Sequence, residues 1–333
     1  MANTPSMEQA SVTPVKQPVV VLGAGGFIGR RVIDALAASS WAEPVAVGRR
    51  IGTTDVHPAA RKVALDASDE RALESVLTGA AGVVSCIAGD PASIVRSGRA
   101  LLEVAARMPV APRVVYLSSL AAYGAVSDIV DEDSPLRDNY TDYGAAKVVV
   151  DQLAAEYPFA VRLRPGIVYG PGSEWWTDRI ARLLVARRLG DLGEAGSGYC
   201  NLVHVDDVVA AIISALREPA AAGHAFNLGS PVVPTWNEYF IRYAHALRAE
   251  PVRRIGRGRL WFELAVRGPM LKVGERLTGK DTVPAIRPWL TDLCRLAVRM
   301  RVDRAEQVLG LRWKPLDKGL DECATWFLAS RDV

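Results

Sequence analysis

Two hydrophobic periods alternate along the first half of the chain. Short, nearly unbroken apolar runs at residues 18–22, 44–47, 62–65, 83–87 and 113–117 are separated by stretches with helical spacing, running to about residue 39 and over 70–77 and 93–107. An uninterrupted apolar run suits a strand covered on both faces, and strands that alternate with helices imply a parallel, doubly wound sheet. The pattern resumes with a strand at 159–164, a helix from Glu174 to about Leu189 and an apolar helix at 208–216. Trp175 and Trp176 open the middle one, and neighbouring residues cannot share one helical face. Both pack in the core, or one does while the other lines a pocket.

The first run ends at once in Gly23-Ala24-Gly25-Gly26-Phe27-Ile28-Gly29, and a helical pattern follows. Strand, glycine turn and helix are the context in which glycines let the chain turn tightly and approach a pyrophosphate, with free N–H groups of the helix start facing the anion. This predicts an α/β protein with a Rossmann-type doubly wound parallel sheet that binds a dinucleotide, and a smaller, mostly helical C-terminal region for substrate. The second strand ends in Gly48-Arg49-Arg50, where a site preferring NAD usually carries an acid for the ribose 2′-hydroxyl. Guanidinium groups suit a 2′-phosphate, so NADP(H) is expected over NAD(H), with Arg49 as the principal contact and Arg50 or Arg30 as helpers. In such sheets ligands sit beyond the carboxyl ends of the strands, where Asp66, Ala88-Gly89 and Ser118-Ser119 fall.

Composition narrows the setting. The chain has 333 residues, half of them hydrophobic, with no run near the ~18 apolar residues of a membrane span. Forty basic residues against 37 acidic ones give +3, which advertises no nucleic-acid partner. Cys86, Cys200, Cys294 and Cys323 are far apart, and they read as reduced thiols in a cytoplasm. Residues 1–17 mix Ser, Thr, Pro and Gln without periodicity or the apolar core of a secretory signal, which suits a disordered leader. Residues 18–165 then form the dinucleotide-binding core, and 166–333 supply the remaining core elements and the substrate-binding part.

Tyr143 and Lys147 stand four residues apart, so on a helix they share a face. A cation there favours phenolate and makes the tyrosine a usable acid or base. Alone, such a pair is often no more than an exposed helix contact.

Together, Gly23 to Gly29, Ser118-Ser119-Leu-Ala-Ala-Tyr123-Gly124, Tyr143-x-x-x-Lys147, Leu163-Arg-Pro-Gly-Ile-Val-Tyr-Gly-Pro-Gly172 and His204-Val-Asp-Asp207 resemble the extended short-chain dehydrogenase/reductases, also called the NAD-dependent epimerase/dehydratase family. The resemblance spans nearly the whole chain, and the tail is similar to the 3-beta-hydroxysteroid dehydrogenase and dihydroflavonol reductase branches. It implies Tyr143 as catalytic acid/base, Lys147 on the nicotinamide ribose and lowering the tyrosine pKa, and Ser119 on the reacting oxygen with Ser118 as alternate register. It also implies adenine-side contacts at Asp66, Ala88 and Gly89, with Asp66 otherwise a plain helix N-terminal carboxylate. Backbone from Pro165 through Gly166 to Val168 would meet the nicotinamide end. Members often form dimers through a helix bundle. His204-Val-Asp206-Asp207 reads as structural, with Asp206 as helix cap, and no metal is expected.

Three activities compete. Sugar-nucleotide epimerases and dehydratases of this family often carry an arginine just before the His-Val-Asp-Asp motif to bind a diphosphate, and Cys200 stands there instead. That and Arg49 favour a reductase taking hydride from NADPH to a ketone or aldehyde of a bulky, partly apolar metabolite. Non-catalytic NADP-binding regulators of this kind often lack the Tyr and Lys, and this chain has both. Arg253, Arg254, Arg257, Arg259 and Arg267 surround Leu260-Trp261-Phe262 and Leu264, a basic amphipathic segment suited to an anionic membrane, a substrate lid or an oligomer surface, with Gly268-Pro269 expected to interrupt its helix.

Overall fold

A computed structural model of the chain describes residues 16–271 and 284–330. The expected leader lies outside the described residues except at its end, and there the boundary moves. Gln17 opens the first strand, its amide bonded to the Trp41 carbonyl.

The first half runs β1 (Gln17–Leu22), α1 (Phe27–Ala38), β2 (Ala42–Val47), β3 (Arg61–Val63), α2 (Glu70–Leu77), β4 (Gly82–Ser85), α3 (Pro91–Arg107) and β5 (Arg113–Leu117). After β6 (Ile129–Val130) come α4 (Asp142–Ala155), β7 (Ala160–Pro165), β8 (Ile167–Tyr169), α5 (Arg179–Val185), β9 (Leu202–His204), α6 (Val205–Arg217) and β10 (Ala225–Leu228). The chain continues through α7 (Trp236–Ala246), α8 (Arg257–Phe262), the helix Pro288–Leu293, β11 (Arg299–Met300) and the helices Asp303–Leu309 and Leu316–Ala329.

Seven strands make one parallel sheet in the order β10-β7-β5-β4-β1-β2-β3. Val19 to Leu22 of β1 are buried on both faces, which is why that strand reads as continuous rather than alternating. Pro44 of β2 lies just before the residues that face β3, so its missing N–H falls where no β3 residue stands opposite. Val32, Ile33 and Leu36 of α1 pack with Val208 and Ile212 of α6 on one face of the sheet, and Leu73, Leu101 and Val150 of α2, α3 and α4 pack on the other. The three helices on that second face each begin on a side-chain cap: Asp69 accepts from Arg71 and Ala72 N–H, Asp90 from Ser93 N–H with Pro91 at the first helical position, and Thr141 from Gly144 N–H.

The second half adds to this sheet as well as building beside it. β10 pairs with β7. The short parallel pairs β8 with β9 and β6 with β11 tie distant segments to the sheet's rim. A separate aromatic core gathers Trp236, Tyr239, Phe240 and Tyr243 of α7 with Leu320 and Phe327. Trp176 packs against it while Trp175 is exposed, so the two tryptophans divide between core and surface. Their helix starts with a wide turn over Glu174–Asp178 and its regular part ends at Val185, short of the expected 189.

Two helix expectations are corrected. α6 is capped by His204, whose ring accepts from Asp206 N–H, so Asp206 lies in the first turn and is not the cap. Gly268-Pro269 does not interrupt the helix that α8 begins. A wide turn over Glu263–Arg267 brings the Gly268 N–H to the Glu263 carbonyl, and the backbone continues helical through Leu271. Widening the turn moves the carbonyl against which a proline ring would press.

Among the described residues no helix is long and apolar enough to cross a membrane.

Candidate active site

The sheet order reverses between β1 and β4, and the crevice at such a reversal, beyond the carboxyl ends of the strands, is where doubly wound sheets hold ligands. The glycine turn lies there. Gly23 has φ +76°, and a Cβ on it would stand 3.2 Å from the Cys86 backbone. A Cβ on Gly29 would press 2.3 Å from the Gly23 carbonyl oxygen. Both positions exclude larger residues, one by conformation and both by close approach. Gly26 precedes α1 with no side-chain cap, so the N–H groups of Phe27, Ile28 and Gly29 at the helix start have no side chain competing for them. A donor set of this kind fits the pyrophosphate of a dinucleotide.

Arg49 and Arg50 are exposed just past the end of β2. The Arg50 carbonyl accepts from the hydroxyls of Thr53 and Thr54, and Thr54 lies against Gly25, a contact that no sequence pattern announces. Asp66 is exposed and turns back on Ser68, accepting from its amide at 2.9 Å and its hydroxyl at 2.7 Å. Those bonds, and more weakly the charges of Arg49 and Arg96, hold its carboxyl below the usual range. As a plain carboxylate at a helix N-terminus, the alternative for Asp66, it stands three residues ahead of Asp69, which caps α2. Ala88 and Gly89 are exposed in the loop before α3, Gly89 at φ +112°.

Tyr143 and Lys147 sit on α4, whose start is pressed onto the turn Leu120–Tyr123. A Cβ on Gly144 would lie 2.7 Å from the Ala121 carbonyl. That approach brings the Tyr143 phenol next to the Ser119 hydroxyl, which also accepts from Ala121 N–H at 3.1 Å. Ser118 is buried at the end of β5 with its hydroxyl unpartnered among the described residues. Lys147 is 1% exposed, and its ammonium donates to the Leu117 carbonyl at 2.6 Å and the Ile87 carbonyl at 3.3 Å, joining the ends of β5 and β4. Its Nζ stands 5.7 Å from the Tyr143 ring centroid.

Burial raises the Tyr143 pKa, the Ser119 hydroxyl lowers it less, and the net shift is upward. The expectation that Lys147 holds the phenol down is thus reversed: two main-chain carbonyls take the ammonium, and desolvation decides. Desolvation also brings Lys147 down to about 8, against smaller opposing effects of Cys86 and Asp151. A lysine whose folded value lies below its unfolded value of 10.5 costs stability wherever it is charged, fully below about 8, and the cost fades as pH rises toward 10.5. The unfolding free energy of the cofactor-free protein relative to a Lys147→Met variant should therefore rise across that window, by on the order of 3 kcal/mol. Urea titrations of both proteins at several pH values check it; a difference flat in pH would rule it out.

On the far side, Pro165 ends β7, and Gly166 is pressed against Asn201, whose carbonyl accepts from Ile167 N–H at 2.7 Å. The Val168 side chain packs on the main core, leaving its backbone as the part able to meet a ligand. Burial raises the Tyr140 pKa and the nearby charge of Asp292 raises it further, so the helix Pro288–Leu293 stands near the start of α4. That helix brings Trp289 to 5.8 Å from Trp176 and 6.1 Å from Trp175. Cys200 is wholly buried in the aromatic core. Trp289 could not be found from spacing, since it comes from a helix more than a hundred residues beyond the tryptophans it meets.

His204, Asp206 and Glu322 place ligand atoms within 4.8 Å of one another. The Lys314 ammonium lies among them, 2.8 Å from Asp206 and 2.5 Å from Glu322, and with His204 it holds the Asp206 carboxyl well below the usual range. The motif is an ion-pair anchor between α6 and the last helix.

The NAD dependent epimerase/dehydratase family model matches residues 19–229. A 3-diazoavenalumate denitrifying reductase from a Streptomyces species is 30% identical over 71% of this chain and 84% of its own. A ceramide reductase from Caulobacter vibrioides is 26% identical over 72% of this chain and 73% of its own. The crystal structure of a UDP-glucose 4-epimerase from Thermotoga maritima superposes with TM-score 0.71 over 95% of this chain and all of the other, at 18% identity, a likeness of fold.

Proposed function

The chain belongs to the NAD dependent epimerase/dehydratase family and is an NAD(P)-dependent enzyme of the short-chain dehydrogenase/reductase type, and from that premise we propose that it reduces a ketone or aldehyde of a bulky, partly apolar metabolite with NADPH. The observation that carries this reading is the Tyr143 phenol, half-buried beside Ser119 and raised in pKa, so that at neutral pH it holds a proton to give.

Bound NADPH supplies the hydride to the carbonyl carbon. Tyr143 gives its proton to the carbonyl oxygen, closing the balance to an alcohol, and Ser119 donates a hydrogen bond to the same oxygen. Lys147 fixes the ends of β4 and β5 around the nicotinamide side and offers its remaining donor to the ribose hydroxyls. Gly23, Gly26, Phe27, Ile28 and Gly29 hold the pyrophosphate. Asp66, Ala88 and Gly89 flank the adenine, and the backbone at Pro165, Gly166 and Val168 meets the nicotinamide. The exposed aromatic Trp175 with Trp289 supports a partly apolar substrate, and Cys200, buried in the aromatic core, offers no charge of its own to a sugar diphosphate. Two relatives named as reductases support the same direction.

Incubation with NADPH and a panel of ketones, against nucleotide sugars, tests this by loss of nicotinamide absorbance. Net consumption with a ketone is expected; conversion of a nucleotide sugar without consumption would replace the reading with epimerisation. For the cofactor, Arg49→Glu should raise the Kd for NADPH about 10- to 100-fold, the worth of one charged hydrogen bond, and change that for NADH little. Equal weakening of both cofactors would remove Arg49 from the 2′-phosphate.

A further inference from the structure

The helix begun by α8 is inside out. Its inward face carries Leu260 and Glu263, the acid being 1% exposed, while Trp261 is 64%, Phe262 48% and Met270 68% exposed. Burying a carboxylate is tolerated because Arg188, also buried, donates to it at 2.6 and 3.0 Å, and Arg267 adds a contact at 3.1 Å. The rings gain little from the fold as it stands, since two aromatics and a methionine on the exposed side of this segment leave much of their apolar area in water.

The charges around them have one sign. Residues 251–271 hold five arginines and a single acid, Glu263, which is spent inside. Arg254 pairs with Asp191, while among the described residues no carboxylate faces Arg253, Arg257 or Arg259. Arg257 precedes Trp261 by one helical turn and Arg259 precedes Phe262 by three residues, so cations flank the rings.

We propose that this surface docks on an anionic lipid bilayer, with Trp261, Phe262 and Met270 entering the headgroup region and Arg253, Arg257 and Arg259 meeting lipid phosphates. A second copy offering the same face would bring like charges together. The Arg188 that anchors Glu263 also holds the Pro284 carbonyl, so the docked helix shares its anchor with the segment leading into Pro288–Leu293. The proposal is independent of the reaction assigned above.

Flotation of the purified full chain with phosphatidylcholine vesicles, alone or mixed with phosphatidylglycerol, tests it. Binding is expected only to the mixed vesicles and should weaken with salt. Trp261→Ala with Phe262→Ala should lower the partition coefficient by tenfold or more, roughly the worth of burying the rings. Arg257→Gln and Arg259→Gln should each cost about fivefold and flatten the salt dependence. Circular dichroism confirms that the variants fold. Failure to bind mixed vesicles, equal binding to both kinds, or binding that survives loss of the two rings would overturn the proposal. So would self-association in sedimentation equilibrium that Trp261→Ala abolishes, which would make the face a subunit contact.

Discussion

Tyr143→Phe should lower the rate of NADPH-dependent carbonyl reduction by about 10²- to 10⁴-fold, the usual worth of a positioned acid, while changing the Kd for NADPH no more than a few-fold. The substitution removes one hydroxyl and keeps the ring that packs beside Lys147 and the α3–α4 core. Because burial lifts the phenol, the wild-type donor stays protonated through neutral pH, and alcohol oxidation, which needs the phenolate, should gain as pH rises. Turnover at saturating cofactor and an independent cofactor titration separate chemistry from binding. A Phe variant that reduces substrate at the wild-type rate would end the assignment of Tyr143 as donor.

Asp151→Ala should destabilise the fold by about 3–5 kcal/mol, a large share of the roughly 5–15 kcal/mol a domain has. Asp151 lies one turn beyond Lys147 on α4 and is fully buried. It accepts two bonds from Arg164 at 2.9 and 3.0 Å and stands 3.5 Å from Arg162. Arg164 goes on to donate to the Tyr123 hydroxyl and the Glu132 carbonyl, and Tyr123 donates to Asn227 on β10. Removing the carboxylate strands a buried guanidinium in that network, whereas removing both charges does not. Urea unfolding should therefore show Asp151→Leu with Arg164→Met to be less damaging than Asp151→Ala alone. A loss below ~1 kcal/mol for the single change would mean the pair is not the tie between α4 and β7 that its geometry indicates.

The glycine turn was legible because its causes are local. Gly23 needs a positive φ and Gly29 must admit the Gly23 carbonyl, and both demands fall within seven residues of sequence. Most of the sheet was legible for a similar reason, since strands buried on both faces leave no alternation to misread; the six strands read from the pattern shifted only at their ends, while β10, four residues at the edge of the sheet, was not read at all. α3 begins two residues early because Asp90-Pro91 is a cap and first turn. α6 begins at Val205 because a histidine ring served as the cap, a role more familiar for Ser, Thr, Asp and Asn. The aromatic second core was visible only as composition. Which tryptophan would be covered depended on Trp236 and Trp289, contributed by helices far along the chain.

What the sequence determined by itself was the local chemistry: a turn able to receive a pyrophosphate, arginines past the second strand, and a tyrosine and lysine spaced for one helical face. The state of those groups was set by the fold. Spacing alone makes Lys147 a cation acting on Tyr143, yet its ammonium ends on the carbonyls of Leu117 on β5 and of Ile87 just past β4, and burial raises the Tyr143 pKa instead of letting it fall. Spacing along a helix sets which side chains can meet. Desolvation sums over every segment packed around them, and those segments converge only when the chain has folded.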